Sequence, residues 1–132
     1  MNQEFDTVVE SIHERDTRYK IDAYAFVMEA LSYTQKKFKA KRHVSPGEIL
    51  AGIKELLINK YGPLAITVLE YWGIRGTEDF GNIIFNLVER RILSKTDNDN
   101  IETFRDAYDF EEGFCQGYRK QLHKRVSRMR SF

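Results

Sequence analysis

Apolar residues recur three and four positions apart through most of this chain, the signature of helices that bury one face. Phe5, Val8, Val9 and Ile12 predict a short amphipathic helix from Glu4 to about Glu14. After the polar stretch RDTRYK, Ala23, Tyr24, Phe26, Val27, Ala30, Leu31, Thr34 and Phe38 make one broad apolar face, predicting a helix from Ile21 to about Lys41. Its basic end, KKFKAKRH, suits the negative pole of a helix. SPGE (Ser45–Glu48) then combines Ser at the N-cap, Pro at the first helical position and Glu three residues after the cap. The helix it opens runs from Pro46 to Tyr61, with Ile49, Leu50, Ile53, Leu56 and Leu57 inward and Gly62 as the stop. Pro63 opens a further short helix, PLAITVLEYW, ended by Gly73. Thr77 is the predicted cap of the next, EDFGNIIFNLVERR, with Phe80, Ile83, Ile84, Leu87 and Val88 inward.

Beyond Arg91 the period changes. ILSKT (Ile92–Thr96) reads as a short strand, DNDN as a turn, and FRDAYDF (Phe104–Phe110) alternates large apolar with polar residues. Helices followed by two strands around an Asp/Asn-rich loop is the order of a winged helix-turn-helix, the hairpin being the wing. The expected fold is therefore α+β and mainly α-helical: a winged-helix-like core with a short β-hairpin and a basic C-terminal helix. The alternative is an all-helical bundle in which these runs are extended loops. Phe114, Tyr118, Leu122, Val126 and Met129 predict the last helix, with a narrow apolar stripe opposite a basic face. The expected division is a single globular domain over residues 1–113 and a basic amphipathic helix over 114–132.

Charge sharpens this division. From Arg119 onward there are six Lys or Arg and no acid, whereas residues 1–118 hold 15 basic and 20 acidic side chains. A basic tail on an acidic body points toward phosphate backbones, or toward an acidic face of a protein. The single cysteine, Cys115, excludes an internal disulfide and any multi-cysteine metal site, which fits a reducing cytosol. Met1–Asp6 is polar with no apolar run after it, so no signal peptide is expected. Charges interrupt every apolar stretch, so no membrane span is expected either.

The densest chemistry is SIHERDTRY, where Ser11, His13, Glu14, Arg15, Asp16 and Arg18 crowd together. A helical zinc motif needs a second His four residues after the first, and position 17 is Thr. Likeness to a kinase catalytic loop fails for want of a glycine-rich loop and an Asp-Phe-Gly partner. The economical reading is a charged helix junction, with Glu14 and Asp16 capping and pairing, Arg15 and Arg18 bridging to neighbouring helices, and Tyr19 packed beneath. Neither Ser11 nor Cys115 has a base placed by spacing, and Cys115 reads as a small apolar filler. WGIRGTEDFG matches neither dinucleotide nor phosphate-loop spacing. It reads as a tight turn in which Gly81 allows close packing near Trp72.

HERDTRY, AYAFVMEAL, RHVSPGEILAGI, GPLAITVLEYWGIRGTEDFGNIIFNLVE, LSKT and YDFEEGF together resemble a Minf-type family of small bacterial proteins of unknown function. The resemblance covers about Phe5 to Phe114. It implies a one-domain bacterial cytosolic protein and brings no catalytic residues, cofactor or substrate. Members of that family end soon after the YDF segment, so the basic tail is an extension whose role the resemblance does not supply.

Nucleic acid is the partner class these features favour. Were the Thr77–Arg91 helix a recognition helix, its early exposed residues would be Glu78, Asp79 and Asn82, and two acids there repel phosphate. Arg75, Arg90, Arg91 and Lys95 offset this only in part. Contacts are expected instead from Lys36, Lys37, Lys39, Lys41 and Arg42, and from Arg119, Lys120, Lys124, Arg125, Arg128 and Arg130, without base readout. The expected role is thus non-enzymatic: an accessory protein binding RNA, a ribonucleoprotein or another macromolecule, with no cofactor or metal. The alternative is a protein–protein adaptor, using the basic tail or the acidic stretch that holds Asp97, Asp99, Glu102, Asp106, Asp109, Glu111 and Glu112. An enzyme built on the HERD cluster ranks third.

Overall fold

A computed structural model describes residues 3–38, 44–94 and 101–129. Among these residues six α-helices follow in order: α1 (Gln3–Arg15), α2 (Ile21–Lys37), α3 (Pro46–Tyr61), α4 (Ala65–Trp72), α5 (Thr77–Glu89) and α6 (Gly117–Met129). Short 3₁₀ turns occupy Gly62–Leu64 and Ile101–Phe104, and a wider π-type turn over Glu111–Gln116 leads into α6.

Local chemistry sets most of these boundaries. Ser45 Oγ accepts from the Glu48 amide at 3.1 Å while Glu48 returns a carboxylate to the Ser45 amide at 2.9 Å, so α3 opens on a complete capping box. α4 ends in a Schellman turn at Gly73, whose φ of 87° is open to glycine at little cost, with the Ile74 amide reaching back to the Leu69 carbonyl. α5 ends the same way at Arg91, φ 60°, with the Ile92 amide on the Leu87 carbonyl. The predicted cap of α5 shifts by one residue: Gly76 is the N-cap and Thr77 the first helical residue.

α2 and α3 pack antiparallel at the centre, tied at their edges by Glu29–Lys60 and by Glu55, which accepts from both Lys37 and Tyr33. Ala23, Tyr24, Val27, Ala30, Ile53, Leu57, Leu69, Phe80, Ile83 and Leu87 are among the buried side chains of one continuous core. Trp72 closes one end against Phe26 and Tyr61, with ring centroids 5.2 and 6.0 Å away.

The expected α+β winged-helix-like fold is overturned. No strand occurs among the described residues, so the described chain is all-helical and the wing hairpin is absent from it. Three physical causes are visible. Ile92 is the apolar residue that completes the Schellman turn of α5, rather than the start of a strand. Asp106, at φ 49°, turns the second run out of extended geometry. The Thr77 hydroxyl donates to the Phe104 carbonyl at 2.5 Å and accepts from the Ala107 amide at 3.0 Å, occupying backbone groups that a strand ladder would need. Of the large apolar residues of FRDAYDF, Phe104 belongs to the core, and Tyr108 and Phe110 pack against it partly buried. Phe104 is buried on Gly81, where an added Cβ would lie 2.9 Å from its side chain, so Gly81 makes room for Phe104 and not for Trp72. Tyr108, Phe110 and Phe114 form an aromatic cluster that reaches Phe80. The turn DNDN and residues Lys95 and Thr96 lie outside the described residues.

Candidate functional site

The HERD junction is an internal polar lock. α5 presents Asp79, Asn82 and Asn86, with Arg90 following at its C-cap, at spacings of three and four along one stripe, and the segment Ser11–Tyr19 lies across it. Asp16 accepts from Arg18 through its amide (3.1 Å), Nε (2.9 Å) and Nη2 (2.7 Å), and from Asn86 Nδ2 at 3.0 Å. The same Asn86 amide group donates to the Tyr24 hydroxyl at 3.0 Å. Tyr19 donates its hydroxyl to Asp79 and accepts from Asn82 Nδ2 at 3.0 Å. Asp79 also receives the backbone amides of Arg75 (2.8 Å) and Gly76 (3.2 Å), holding the first turn of α5. Arg90 Nη1 donates to Ser11 Oγ at 3.0 Å, and His13 Nδ1 donates to the Tyr19 carbonyl at 2.9 Å. The latter bond requires a proton on Nδ1, because a carbonyl oxygen only accepts.

Electrostatics follow the bonds. The Arg18 hydrogen bonds hold the Asp16 carboxyl well below the usual carboxylate range, and Asp16 in turn raises Arg18. Burial, reinforced by the bond to Asp79, pushes the Tyr19 hydroxyl up, and burial does the same to Tyr24. Each shift favours the form already present at neutral pH, which makes these groups poor proton shuttles. The backbone closes the lock further. The Lys20 amide bonds the Trp72 carbonyl at 3.1 Å, and a Cβ on Gly73 would come within 2.1 Å of the Arg18 carbonyl oxygen. The two most distinctive stretches of the sequence, HERDTRY and WGIRGTEDFG, therefore pack on each other.

This arrangement redistributes the expected roles. Arg18 pairs with Asp16 inside the junction rather than bridging to an acid on a neighbouring helix. Asp79 and Asn82, expected to face outward on α5, turn inward to Tyr19. Glu14 and Arg15 are exposed at the end of α1. The polar partners on α5 went unread in the sequence, although the 79–82–86–90 spacing is itself a helical stripe. What was missing was its counterpart across the core.

Of the basic candidates, Lys36 and Lys37 stand in the last turn of α2, and Lys37 is engaged by Glu55 in the middle of α3. Lys39, Lys41, Arg42 and Arg130 lie outside the described residues. Arg119, Lys120, Lys124, Arg125 and Arg128 are all exposed on α6. That helix is rooted at the C-terminal end of α3: the Tyr118 ring lies against Gly62, and Gln121 Nε2 donates to Asn59 Oδ1 at 2.8 Å. Beyond that root it leaves the body, for every side chain from Leu122 to Arg128 is exposed. Leu122 and Val126, members of the expected narrow apolar stripe, are 44% and 43% exposed.

The grooves offer little convergent chemistry. One of about 580 Å³ is lined by Phe26, Tyr61, Trp72 and Asp22, with Glu29 already tied to Lys60. Another of about 510 Å³ is chiefly apolar, with Leu31, Ile49, Ile84 and Ile92 in its walls. Neither holds a histidine or cysteine, and the HERD cluster lines neither. Among the described residues no group of three or more His, Cys, Asp or Glu could hold a metal ion. Nor is any described helix long and apolar enough to cross a membrane. Comparison with protein-family models, curated proteins and solved structures gave no match.

Proposed function

We propose that this protein is a non-enzymatic accessory factor that engages the phosphate backbone of a nucleic acid, free or within a ribonucleoprotein, through α6. The observation that carries this reading is the exposure of Arg119, Lys120, Lys124, Arg125 and Arg128 on a helix that leaves a body of opposite net charge. A polyanion meets α6 as a concentrated positive surface and is repelled elsewhere, which orients the encounter. A bacterial cytosolic setting belongs to the same proposal and rests on the family resemblance and the lone thiol. Fluorescence anisotropy with a labelled RNA or DNA oligonucleotide tests it. Five phosphate contacts predict an affinity that falls about 100-fold or more between 50 and 200 mM salt. Deleting residues 119–132 abolishes the binding. A full-length chain that ignores nucleic acid at the lower salt refutes the proposal.

A second reading, the protein–protein adaptor, is favoured by one observation: the half-exposed apolar stripe of Leu122 and Val126 suits docking in a partner's groove. Substituting both with Ser separates the readings, since phosphate contact survives that change and groove docking does not.

A further inference from the structure

Resting on the groove-docking reading of α6, and independent of phosphate binding, we infer that the groove this helix enters belongs to a second copy of the same chain. One chain carries both halves of such a contact. Past Gln121, at about 100° per residue, Leu122 and Val126 fall at roughly 0° and 40° around α6, with His123 and Ser127 beyond them at about 100° and 140°. Lys124, Arg128 and Arg125 fall at roughly 200°, 240° and 300°, so the projecting turns have a neutral half and a basic half. Arg125, and Arg119 at about 60° one turn nearer the root, border the apolar stripe on its two sides. Leu122 and Val126 are half-exposed, so the stripe is open to a partner.

The receiving surface is a groove of about 530 Å³ between α4 and the segment that leads into α6. Ile66 and Ile74 line it from α4 and the turn after it, and Phe110 lines it from the segment before α6. Each side also carries an exposed acid, Glu70 on α4 and Glu111 before α6. An adjoining groove of about 250 Å³ shares Arg75 and Phe110 and adds Asp106 and Asp109. Four acids and one base, Arg75, therefore line this face. An apolar strip bordered on both sides by acid is the counterpart of an apolar stripe bordered on both sides by arginine.

Position favours a second copy over the chain's own tail. α6 is rooted beside the groove, for Tyr118 lies against Gly62, four residues before Ile66, and Glu111 opens the turn that leads into α6. Yet no described residue of α6 lines the groove, and the stripe stays open. A two-fold axis beside the root lets each α6 cross to the other copy, each giving and receiving the same contact. A second copy thus meets both halves at once, where a foreign protein needs two separate complementary features to do so. Lys124 and Arg128, on the far side of the helix from Leu122, stay outward, so the dimer still presents two basic faces to a phosphate backbone.

Sedimentation velocity on the full-length protein, free of nucleic acid and run from about 1 to 500 µM, tests this. The expected result is a concentration-dependent shift from monomer to dimer. Leu122→Ser with Val126→Ser weakens dimerisation at least about tenfold, because two aliphatic side chains lose burial at each of two contacts. Glu70→Lys with Glu111→Lys weakens it at least about tenfold as well. Asp6→Lys with Glu10→Lys, the same charge change at exposed positions of α1, leaves it within about twofold. All six positions are exposed, and an unchanged circular dichroism spectrum verifies the fold of each variant. A wild type that stays monomeric to the highest concentration overturns the second copy and leaves docking in another protein's groove standing. A dimer that survives the Leu122 and Val126 substitutions overturns docking through this stripe altogether. A dimer indifferent to Glu70 and Glu111, or weakened equally by the α1 substitutions, overturns the assignment of this groove.

Discussion

Replacing Asp79 by Ala tests whether the HERDTRY–TEDFG lock is a structural element or a decoration. The carboxylate accepts the Tyr19 hydroxyl and the amides of Arg75 and Gly76, so its loss acts at two places. Tyr19 is buried, and its hydroxyl loses the carboxylate it donates to among the described residues. A bond from a neutral donor to a charged acceptor contributes about 1.5–3 kcal/mol. Releasing the first turn of α5 adds roughly 0.5–1 kcal/mol, the low end of a cap substitution, because Gly76 and Arg75 are near water. Together these predict a loss of about 2–4 kcal/mol and a fall in Tm of roughly 10 °C. Urea and thermal unfolding followed by circular dichroism measure both. A double-mutant cycle with Tyr19→Phe isolates the shared bond, with an expected coupling of about 1–2 kcal/mol. A loss below about 0.5 kcal/mol, or strict additivity with Tyr19→Phe, refutes the assignment.

Other expectations follow from the same geometry. Because the folded Asp16 carboxyl sits below its unfolded value, its stabilisation is complete above about pH 4 and fades as acid approaches the folded value. Asp16→Asn should therefore flatten the acid limb of a stability–pH curve, and an unchanged limb refutes the link. Gly73→Ala combines a left-handed φ with a Cβ that meets the Arg18 carbonyl, and should cost about 2 kcal/mol or more in urea unfolding. A Tm within about 2 °C of wild type would show that this approach is not tight. Truncation after Gln121 removes only side chains that are exposed or outside the described residues, so Tm should change by no more than about 2 °C while nucleic-acid binding is lost.

Where the sequence was legible, the physics was local. The capping box at Ser45–Glu48, the stops at Gly62 and Gly73, and the inward positions of α3 and α5 depend on residues within one or two turns of each other, so spacing alone exposes them. The C-terminal run was illegible for the opposite reason. Phe104, Tyr108 and Phe110 alternate as a strand would, yet their destination is set by Gly81, Thr77 and Phe80, more than twenty residues away. A run of a few large apolar residues carries no period long enough to tell a strand from an irregular core segment.

The candidate site divides along the same line. Composition alone determined that an acid-free basic segment follows an acidic body, since net charge needs no coordinates. Sequence spacing also rejected the metal and kinase readings of HERD. Only the tertiary structure decided that Asp16 meets Asn86, that Tyr19 meets Asp79, and that α6 leaves the body after Gln121. Those pairings span 60 to 70 residues, and a polar side chain bears no mark of a partner at that distance. Burial selects the partner: once α1, α2 and α5 share a core, an unpaired Tyr or Asp at their seam is costly, and the nearest complementary group must serve.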